Sequence, residues 1–363
     1  MDELSKARAE IDAADKQMAE LFCRRMDAVQ QIVAYKKAHG LPVLDAGREE
    51  AVVAKNLALL PNAAYAEWYE DFIRHSMALS RTLQKRVLGA DTVAYQGVEG
   101  AFSHIALRAL FPHCTEKACT TWGDVFDAVL AGDAASGVLP FENSHAGDVS
   151  EVLDLCFAHP DIRVSAVYDL PVSQNLLGVP GATLADVKTV LSHPQALSQS
   201  ARFLKSLGLT GESCANTAAA AKQVAERGDK RVAAIASAQT AALYHLDLLV
   251  RDVNESTDNT TRFIVIEKGA VETAEHSPAQ AAGANRFSLL FTVEHTAGSL
   301  ARVMETVGQL GYNMECIKSR PMPRAQWQYY FYTEIVGSLA PALLQAMQGV
   351  CKTVRVLGVY TRA

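Results

Sequence analysis

The stretch RAEIDAADKQMAELFCRRMDAVQQIVAYK, residues 8–36, decides how the amino-terminal part of the chain folds. Arg8, Ile11, Asp15, Met18, Phe22, Arg25, Val29, Ile32 and Lys36 fall at alternating steps of three and four, so a helix places them on one seam. A seam that only packed would be apolar. Four of these nine residues are ionisable, and three of those are cations. A buried, unpaired charge is expensive to desolvate, so Arg8, Arg25 and Lys36 imply an anionic counterpart. The seam reads as one wall of a pocket for a small acid.

Working outward, residues 1–88 read as helix throughout. Gly40-Leu41-Pro42 breaks the chain, a second helix starts near Asp45, and Pro61-Asn62 precedes a third that runs to about Val87. The third helix carries Ile73, Met77, Ser80, Gln84 and Val87 on one stripe, placing Ser80 and Gln84 together on a mostly apolar face. So small a helical unit cannot bury a first helix of more than about thirty residues by itself. Pairing of two long helices in a homodimer is the simplest remedy.

From Asp91 the period changes. Thr92–Tyr95, Gly137–Leu139, Val187–Leu191, Arg231–Ala236 and Arg262–Glu267 are short apolar runs separated by helical stretches, the mark of α/β architecture. The runs end in small polar residues before helices: Gly97…Gly100…Ser103, Glu142-Asn143-Ser144, Ser192-His193-Pro194-Gln195 and Ser237. Helix amino termini beyond strand ends offer free N–H groups to anions. The Gly97/Gly100 pair fits neither the dinucleotide nor the P-loop fingerprint. Residues 269–285, rich in Ala, Gly and Glu, read as a linker. Beyond it the order strand 286–293, helix 299–310, strands 313–320 and 327–336, helix 338–348 and strand 354–359 is a ferredoxin-like β-α-β-β-α-β module.

Bulk properties narrow the function. At 363 residues the chain should divide into two or three domains. A net charge of −6 argues against a nucleic-acid partner. The Met1-Asp2-Glu3 start is no secretory signal, no apolar run is long enough for a membrane span, and seven scattered cysteines read as reduced thiols, so a cytoplasmic location is expected. The ten histidines form no metal-binding pattern, so no metal is expected.

Segment 1–88 resembles the all-helical chorismate mutases, through Arg8, Arg25, Lys36, Asp45, Arg48, Glu49, Ser80 and Gln84. The resemblance implies that these eight bind chorismate, with Lys36 and Gln84 as catalytic residues on the breaking ether oxygen and Arg8 reaching a partner subunit's site. The chemistry is a pericyclic rearrangement that needs conformer selection and charge stabilisation but no nucleophile. A coiled-coil dimeriser with a polar seam is the bland alternative.

Segment 91–268 resembles prephenate dehydratase, through Gly97-Val98-Glu99-Gly100-Ala101-Phe102-Ser103-His104, Pro140-Phe141-Glu142-Asn143-Ser144, Ser192-His193-Pro194-Gln195-Ala196-Leu197 and Asn259-Thr260-Thr261-Arg262-Phe263. The resemblance implies a two-lobed fold like the periplasmic binding proteins, with a second lobe from about 171 to 247. It also implies Thr261 as the proton donor to departing hydroxide, and Arg262 as a carboxylate ligand or brace. Asn143, Ser192, Gln199 and Thr217 are expected to hydrogen-bond prephenate from helix starts; simple helix capping is the alternative for Ser192 and Thr217.

Segment 285–363 resembles the ACT regulatory domains, through Ala297-Gly298-Ser299-Leu300 and Lys318-Ser319-Arg320-Pro321. This implies L-phenylalanine bound as effector near Gly298, Ser299, Leu300, Ser319 and Arg320, between paired modules. Lys318 stands where the family carries Glu, and it is expected to pair with Glu315 or with the effector's carboxylate. The whole reading is a multidomain bifunctional enzyme: an all-α mutase domain, a two-lobed α/β domain and a ferredoxin-like α+β ACT domain. It takes chorismate through prephenate to phenylpyruvate without a cofactor, as a dimer or tetramer. The rival is a two-lobed small-acid receptor, which fold alone does not exclude.

Overall fold

A computed structural model describes residues 2–39, 46–88, 91–256, 258–269, 285–322 and 326–361. The expected second-helix start at Asp45 and most of the expected linker lie outside these residues. The chain divides into two compact units: Met1–Thr92 with His113–Thr115, and Val93–Pro112 with Glu116–Ala363.

In the first unit, helix α1 spans Glu3–His39, α2 spans Ala46–Ala58, and α3 spans Ala66–Val87 after a single 3-10 turn at Ala63–Tyr65. Asn62 initiates that turn by accepting the Ala64 N–H at 3.0 Å, which accounts for the break expected at Pro61-Asn62. Helices α1 and α3 pack through Val29, Val33 and Met77. The amino-terminal half of α1 has no such cover: Ile11, Met18 and Phe22 are 59, 50 and 45% exposed.

The second unit contains two sheets. Its strands are β1 Thr92–Gln96, β2 Thr115–Cys119, β3 Ser136–Asn143, β4 Gly147–Asp148, β5 Ile162–Pro171, β6 Asn175–Gly178, β7 Thr189–Ser192, β8 Thr210–Ser213, β9 Val232–Ala236, β10 Asp247–Val250 and β11 Thr260–Lys268. The carboxyl-terminal strands are β12 Arg286–Thr292, β13 Asn313–Pro321, β14 Tyr329–Val336 and β15 Thr353–Tyr360. Strands β10-β6-β9-β7-β8 form the smaller sheet, and β13-β14-β12-β15-β5-β11-β3-β1-β2 the path of the larger, with β4 paired to β3. The chain leaves the larger sheet after β5 and returns at β11, so β6–β10 make a separate lobe. Every strand run expected from the sequence is present. The exposed pattern of β2 and β8 gave no apolar run by which to find them, while β5, β6 and β10 carry apolar residues yet were not among the runs expected.

The carboxyl-terminal module has the expected order, with helices Ser299–Gln309 and Pro341–Val350 on one face. Phe287, Leu289, Phe291, Val303, Val307, Ile335, Leu343 and Met347 fill its core. It continues the larger sheet through one parallel contact, Gly358 on β15 opposite Val164 on β5. A Cβ at position 358 would collide with the Val164 carbonyl oxygen, so the strands approach this closely only because residue 358 is glycine.

Candidate active sites

Between the two lobes lies a cavity of about 620 Å³. Strand β11 supplies its back wall. Thr261 and Phe263 point into the cavity, and Arg262 between them points away, as alternation along a strand requires. Thr261 is paired in register with Asn143 on β3. Asn143 Nδ2 donates to Thr261 Oγ1 at 2.9 Å and to Asn259 Oδ1 at 2.8 Å. Its Oδ1 accepts from the backbone N–H groups of His145 and Ala146 at 3.1 and 2.9 Å. Asn259 Nδ2 in turn donates to Gln199 Oε1 at 3.2 Å. The relay Gln199–Asn259–Asn143 therefore ends on the Thr261 oxygen. That oxygen accepts, and among the described residues its own proton has no acceptor. Accepting a hydrogen bond strengthens the hydroxyl as a donor.

No Lys or Arg lines this cavity among the described residues. Helices Phe102–Leu110, Trp122–Ala131, Ser150–Ala158 and Thr217–Arg227 each bring their first residue to its wall. Free N–H groups and the positive ends of helix dipoles favour an anion there. His193 and Asp148 are the titratable lining residues. Burial pushes the His193 imidazole down, and its Nδ1 accepts the Gln195 N–H at 3.2 Å as the cap of helix Pro194–Gln199. Its ring thus sits neutral at pH 7.

The residues expected in this site divide. Asn143, Gln199, Thr217 and Thr261 line the cavity. Asn143 lies at the end of β3 and Gln199 at the end of its helix, not at helix starts. Neither Ser192 nor Thr217 is a cap: His193 and Asn216 hold those positions. Ser192 is fully buried and donates to the Ile235 carbonyl at 2.6 Å, so it fastens β7 to β9 beneath the cavity. Arg262 faces the opposite side of the sheet, where it meets Asp169 at 3.0 Å and Glu142 at 3.3 Å; of the two expected roles, its geometry is that of a brace. Sequence reasoning passed over Asn259 as a site residue, although the NTTRF segment contains it. Ser103, Trp122, Gln174 and His193 also line the cavity.

In the first unit, Arg25 reaches from α1 to α3. It donates to the Ser80 hydroxyl and, at 3.1 Å, to the Ser76 carbonyl. Burial lowers the Arg25 guanidinium below its ordinary value, an environment that favours an anion as partner. One turn beyond Ser80, Gln84 is buried with its Oε1 unpartnered among the described residues. Glu49 is bound by Arg81, and Arg8 and Arg48 are exposed, whereas Lys36 is half-buried. Ser80 and Gln84 are thus both buried on α3, as their spacing implied, and Ser80 meets Arg25 of α1.

In the carboxyl-terminal module, Gly298 has φ +80° and starts helix Ser299–Gln309. Ser299 is buried, its Oγ 2.7 Å from Thr296 Oγ1, and Leu300 is half-buried. Ser319 is exposed on edge strand β13. Arg320 turns its guanidinium to Asp154, at 3.0 Å from Nε. Lys318 does not take Glu315 as its partner: it turns to Glu142, at 2.9 Å, and to Asp148, while Glu315 pairs with Arg286 at 2.8 Å.

Among the described residues no His, Cys, Asp and Glu cluster could hold a metal ion, and no helix is long and apolar enough to cross a membrane.

A helical unit in which an α1 arginine meets an α3 serine, and a two-lobed α/β cleft in which Asn143 bonds Thr261, are two candidate sites of an enzyme that handles small acids. Residues 7–85 match the family model for chorismate mutase type II, and residues 93–271 match that for prephenate dehydratase. A bifunctional chorismate mutase/prephenate dehydratase from Aquifex aeolicus is 30% identical, covering 100% of this chain and 99% of the relative. A prephenate dehydratase from Arthrobacter aurescens, solved in complex with L-Phe, has a TM-score of 0.67 at 25% identity, over 75% of this chain and 90% of that one. A structure described as a novel type of quorum quenching acylase has a TM-score of 0.66 at 30% identity, over 75% of this chain and 98% of that one. The chain belongs to the bifunctional chorismate mutase/prephenate dehydratase family. It is an isomerase and a lyase, converting chorismate to prephenate and prephenate to phenylpyruvate, and its cleft has the two-sheet α/β fold of the periplasmic binding proteins.

Proposed function

We propose that the cavity at Thr261 is the dehydratase site and that the α1–α3 groove is the mutase site of a three-part chain: mutase 1–88, dehydratase 91–268 and an ACT regulatory domain 285–363. The observation that carries the first assignment is the Asn143–Thr261 hydrogen bond, in which the threonine oxygen of a cavity-lining residue accepts, so that its own proton is left to donate. Prephenate loses its ring hydroxyl and its ring carboxylate together. The C–O bond breaks as the hydroxyl takes up a proton and leaves as water; the C–C bond to the carboxylate breaks as CO2 departs, and its electron pair completes the aromatic ring. Thr261 donates the proton, and Asn143, backed by Asn259 and Gln199, stabilises the threonine oxygen as it gives the proton up. Thr217 and the converging helix amino termini bind the carboxylates. Arg262 braces β11 from behind, and Ser192 supports the floor.

In the mutase, Arg25 and Ser80 hold one carboxylate, while Lys36 and Gln84 address the ether oxygen, for which the buried side chain of Gln84 is suited. Arg48 and Glu49 contribute further chorismate contacts, with Asp45 outside the described residues, and Arg8 reaches the site of a second copy paired along α1, whose exposed Ile11, Met18 and Phe22 it would cover. L-Phenylalanine binds near Gly298, Ser299, Leu300 and Ser319 as a feedback effector, with Arg320 anchoring that strand to Asp154. The Arthrobacter complex with L-Phe and the exposed edge strand β13 support this reading. The enzyme acts in the cytoplasm.

The test is an assay of the purified full chain on chorismate and on prephenate supplied separately. Thr261→Val should leave chorismate loss intact and abolish phenylpyruvate formation, and L-phenylalanine should inhibit only the second reaction. Thr261→Val with full dehydratase activity would sink the assignment of the cavity.

A further inference from the structure

Two successive rungs of the larger sheet face opposite ways. One carries Asn143 and Thr261 into the cavity. The next carries Asp148 on β4, Glu142 on β3, Arg262 on β11 and Asp169 on β5, each in register with its neighbour. This second rung holds three carboxylates and one guanidinium. Arg262 engages Asp169 and Glu142. Asp148 and Glu142 stand directly opposite each other, a like-charge cross-strand pair that is destabilising unless a cation bridges it. The bridge comes from the carboxyl-terminal module: Lys318 of β13 binds Glu142 at 2.9 Å and Asp148 on the other side, its ammonium 5.3 Å from the centre of the Phe141 ring. Only 8% of the Lys318 side chain is exposed. The ammonium thus sits in a built ionic site.

Asp148 also lines the cavity, although its carboxylate turns with that of Glu142 towards Lys318, so its charge acts on the cavity from the reverse face of the sheet and not by contact. The substrate of that cavity bears two carboxylates, and no cation faces it among the lining residues described. An uncompensated Asp148 would repel such a substrate from a distance at which low-dielectric walls screen poorly. We propose that Lys318 is a positioning and specificity-determining residue of the dehydratase reaction: reaching in from the carboxyl-terminal module, it neutralises Asp148 at the cavity wall and holds the β3–β4 turn that presents Asn143 to Thr261. The turn is short. Asn143 Oδ1 accepts its His145 and Ala146 N–H groups, and Gly147 and Asp148 pair back onto Asn143 and Glu142. The carboxyl-terminal module therefore supplies a charge on which substrate affinity depends, besides any effector it binds.

This inference rests on the cavity being the dehydratase site, and the test separates the two. Full-length Lys318→Met, Lys318→Arg, Asp148→Asn and the double variant Lys318→Met/Asp148→Asn are assayed on prephenate, with Thr261→Val alongside. Lys318→Met should raise KM about tenfold with a smaller change in kcat, the order expected of one exposed negative charge beside a cleft. Lys318→Arg should stay within about twofold of the parent, since a guanidinium can bridge two carboxylates. The double variant should recover most of the KM lost by Lys318→Met, because a neutral amide at position 148 no longer needs a counter-charge. Urea midpoints are read beside KM: a merely structural tie would move KM only in step with the midpoint, whereas KM here should rise in Lys318→Met and recover in the double variant at a midpoint close to that of the parent. Should Lys318→Met fail to fold, Asp148→Asn alone still decides: its KM should equal or fall below that of the parent. An unchanged KM in folded Lys318→Met, an unrescued double variant, or a raised KM in Asp148→Asn overturns the proposal. A fully active Thr261→Val overturns instead the assignment of the cavity.

Discussion

The two proposed sites would solve one problem, holding a small dicarboxylate, with opposite materials. The helical unit meets its ligand with the sides of helices, where every backbone N–H is already bonded within the helix. Charge must then come from side chains, and Arg25 crosses from α1 to Ser80 on α3 to provide it. The α/β cleft meets its ligand with the ends of helices. Four of them bring their first residue to the cavity wall, and no Lys or Arg is among its described lining residues. Its proposed counter-charge is backbone, and Asp148, its one lining carboxylate among the described residues, is paired with Lys318. The side-chain site should thus be sensitive to salt and to single cations, whereas the backbone site should be sensitive to hydrogen-bond orientation.

The largest effect should follow from Asn143→Asp. A carboxylate there cannot donate to Thr261 and adds negative charge to a cleft without cations, so dehydratase kcat should fall by about 10³-fold while mutase turnover is unchanged. A drop of less than tenfold would mean that hydrogen-bond orientation does not govern this site. Thr260→Val is the matched control. Its hydroxyl is directed to the opposite face of the strand, and less than twofold loss is expected.

Lys36→Ala tests the other half. Removing one charge-stabilising donor should lower mutase turnover by about 10²-fold, with dehydratase activity on supplied prephenate retained. Equal loss of both activities would show that the two regions are not the independent sites described here.

How much of this was legible in the chain follows the same division. The candidate mutase residues stood out because charges on an apolar seam break a pattern, and the structure brings Arg25 of that seam onto Ser80 of the third helix. The dehydratase floor was harder to read. Ser192 and Thr217 looked like caps, yet His193 and Asn216 took those positions, a shift of one residue in each case that sequence alone does not resolve. Asn259 was hidden inside a motif whose Thr261 drew attention, and its place in the site depends on pairing with Asn143, more than a hundred residues away in the chain. Lys318 was visible as an oddity. Its partners were not, because Glu142 and Asp148 belong to another strand pair joined to it only through tertiary structure.

Salt should sharpen the contrast. Raising ionic strength from about 0.05 to 0.5 M shortens the Debye length from roughly 14 to 4 Å. The mutase KM should rise several-fold, since its cations are partly open to solvent. The dehydratase KM should move by less than about twofold, because N–H groups at helix ends act at hydrogen-bond range. Equal salt dependence at both sites would erase the proposed difference.

The smallest effect concerns Asp154, which anchors the carboxyl-terminal module. Burial alone would raise the Asp154 carboxyl, but hydrogen bonds from Arg320 and Tyr330, with the charge of Arg320, outweigh it and hold the group below the ordinary carboxylate range. A depressed folded value means that the anion stabilises the fold. That contribution is present above the unfolded value of about 3.9 and is lost as pH falls through the still lower folded value. The side chain is 36% exposed, so solvent screening limits the contribution to at most about 1 kcal/mol. Asp154→Asn should therefore lower the urea midpoint slightly at pH 7, and the gap to the parent should close as the pH drops below about 4. All other carboxylates titrate alike in the two proteins, so the difference isolates this one. A gap that persisted unchanged into acid would show that the shape of residue 154, and not its charge, holds the module in place.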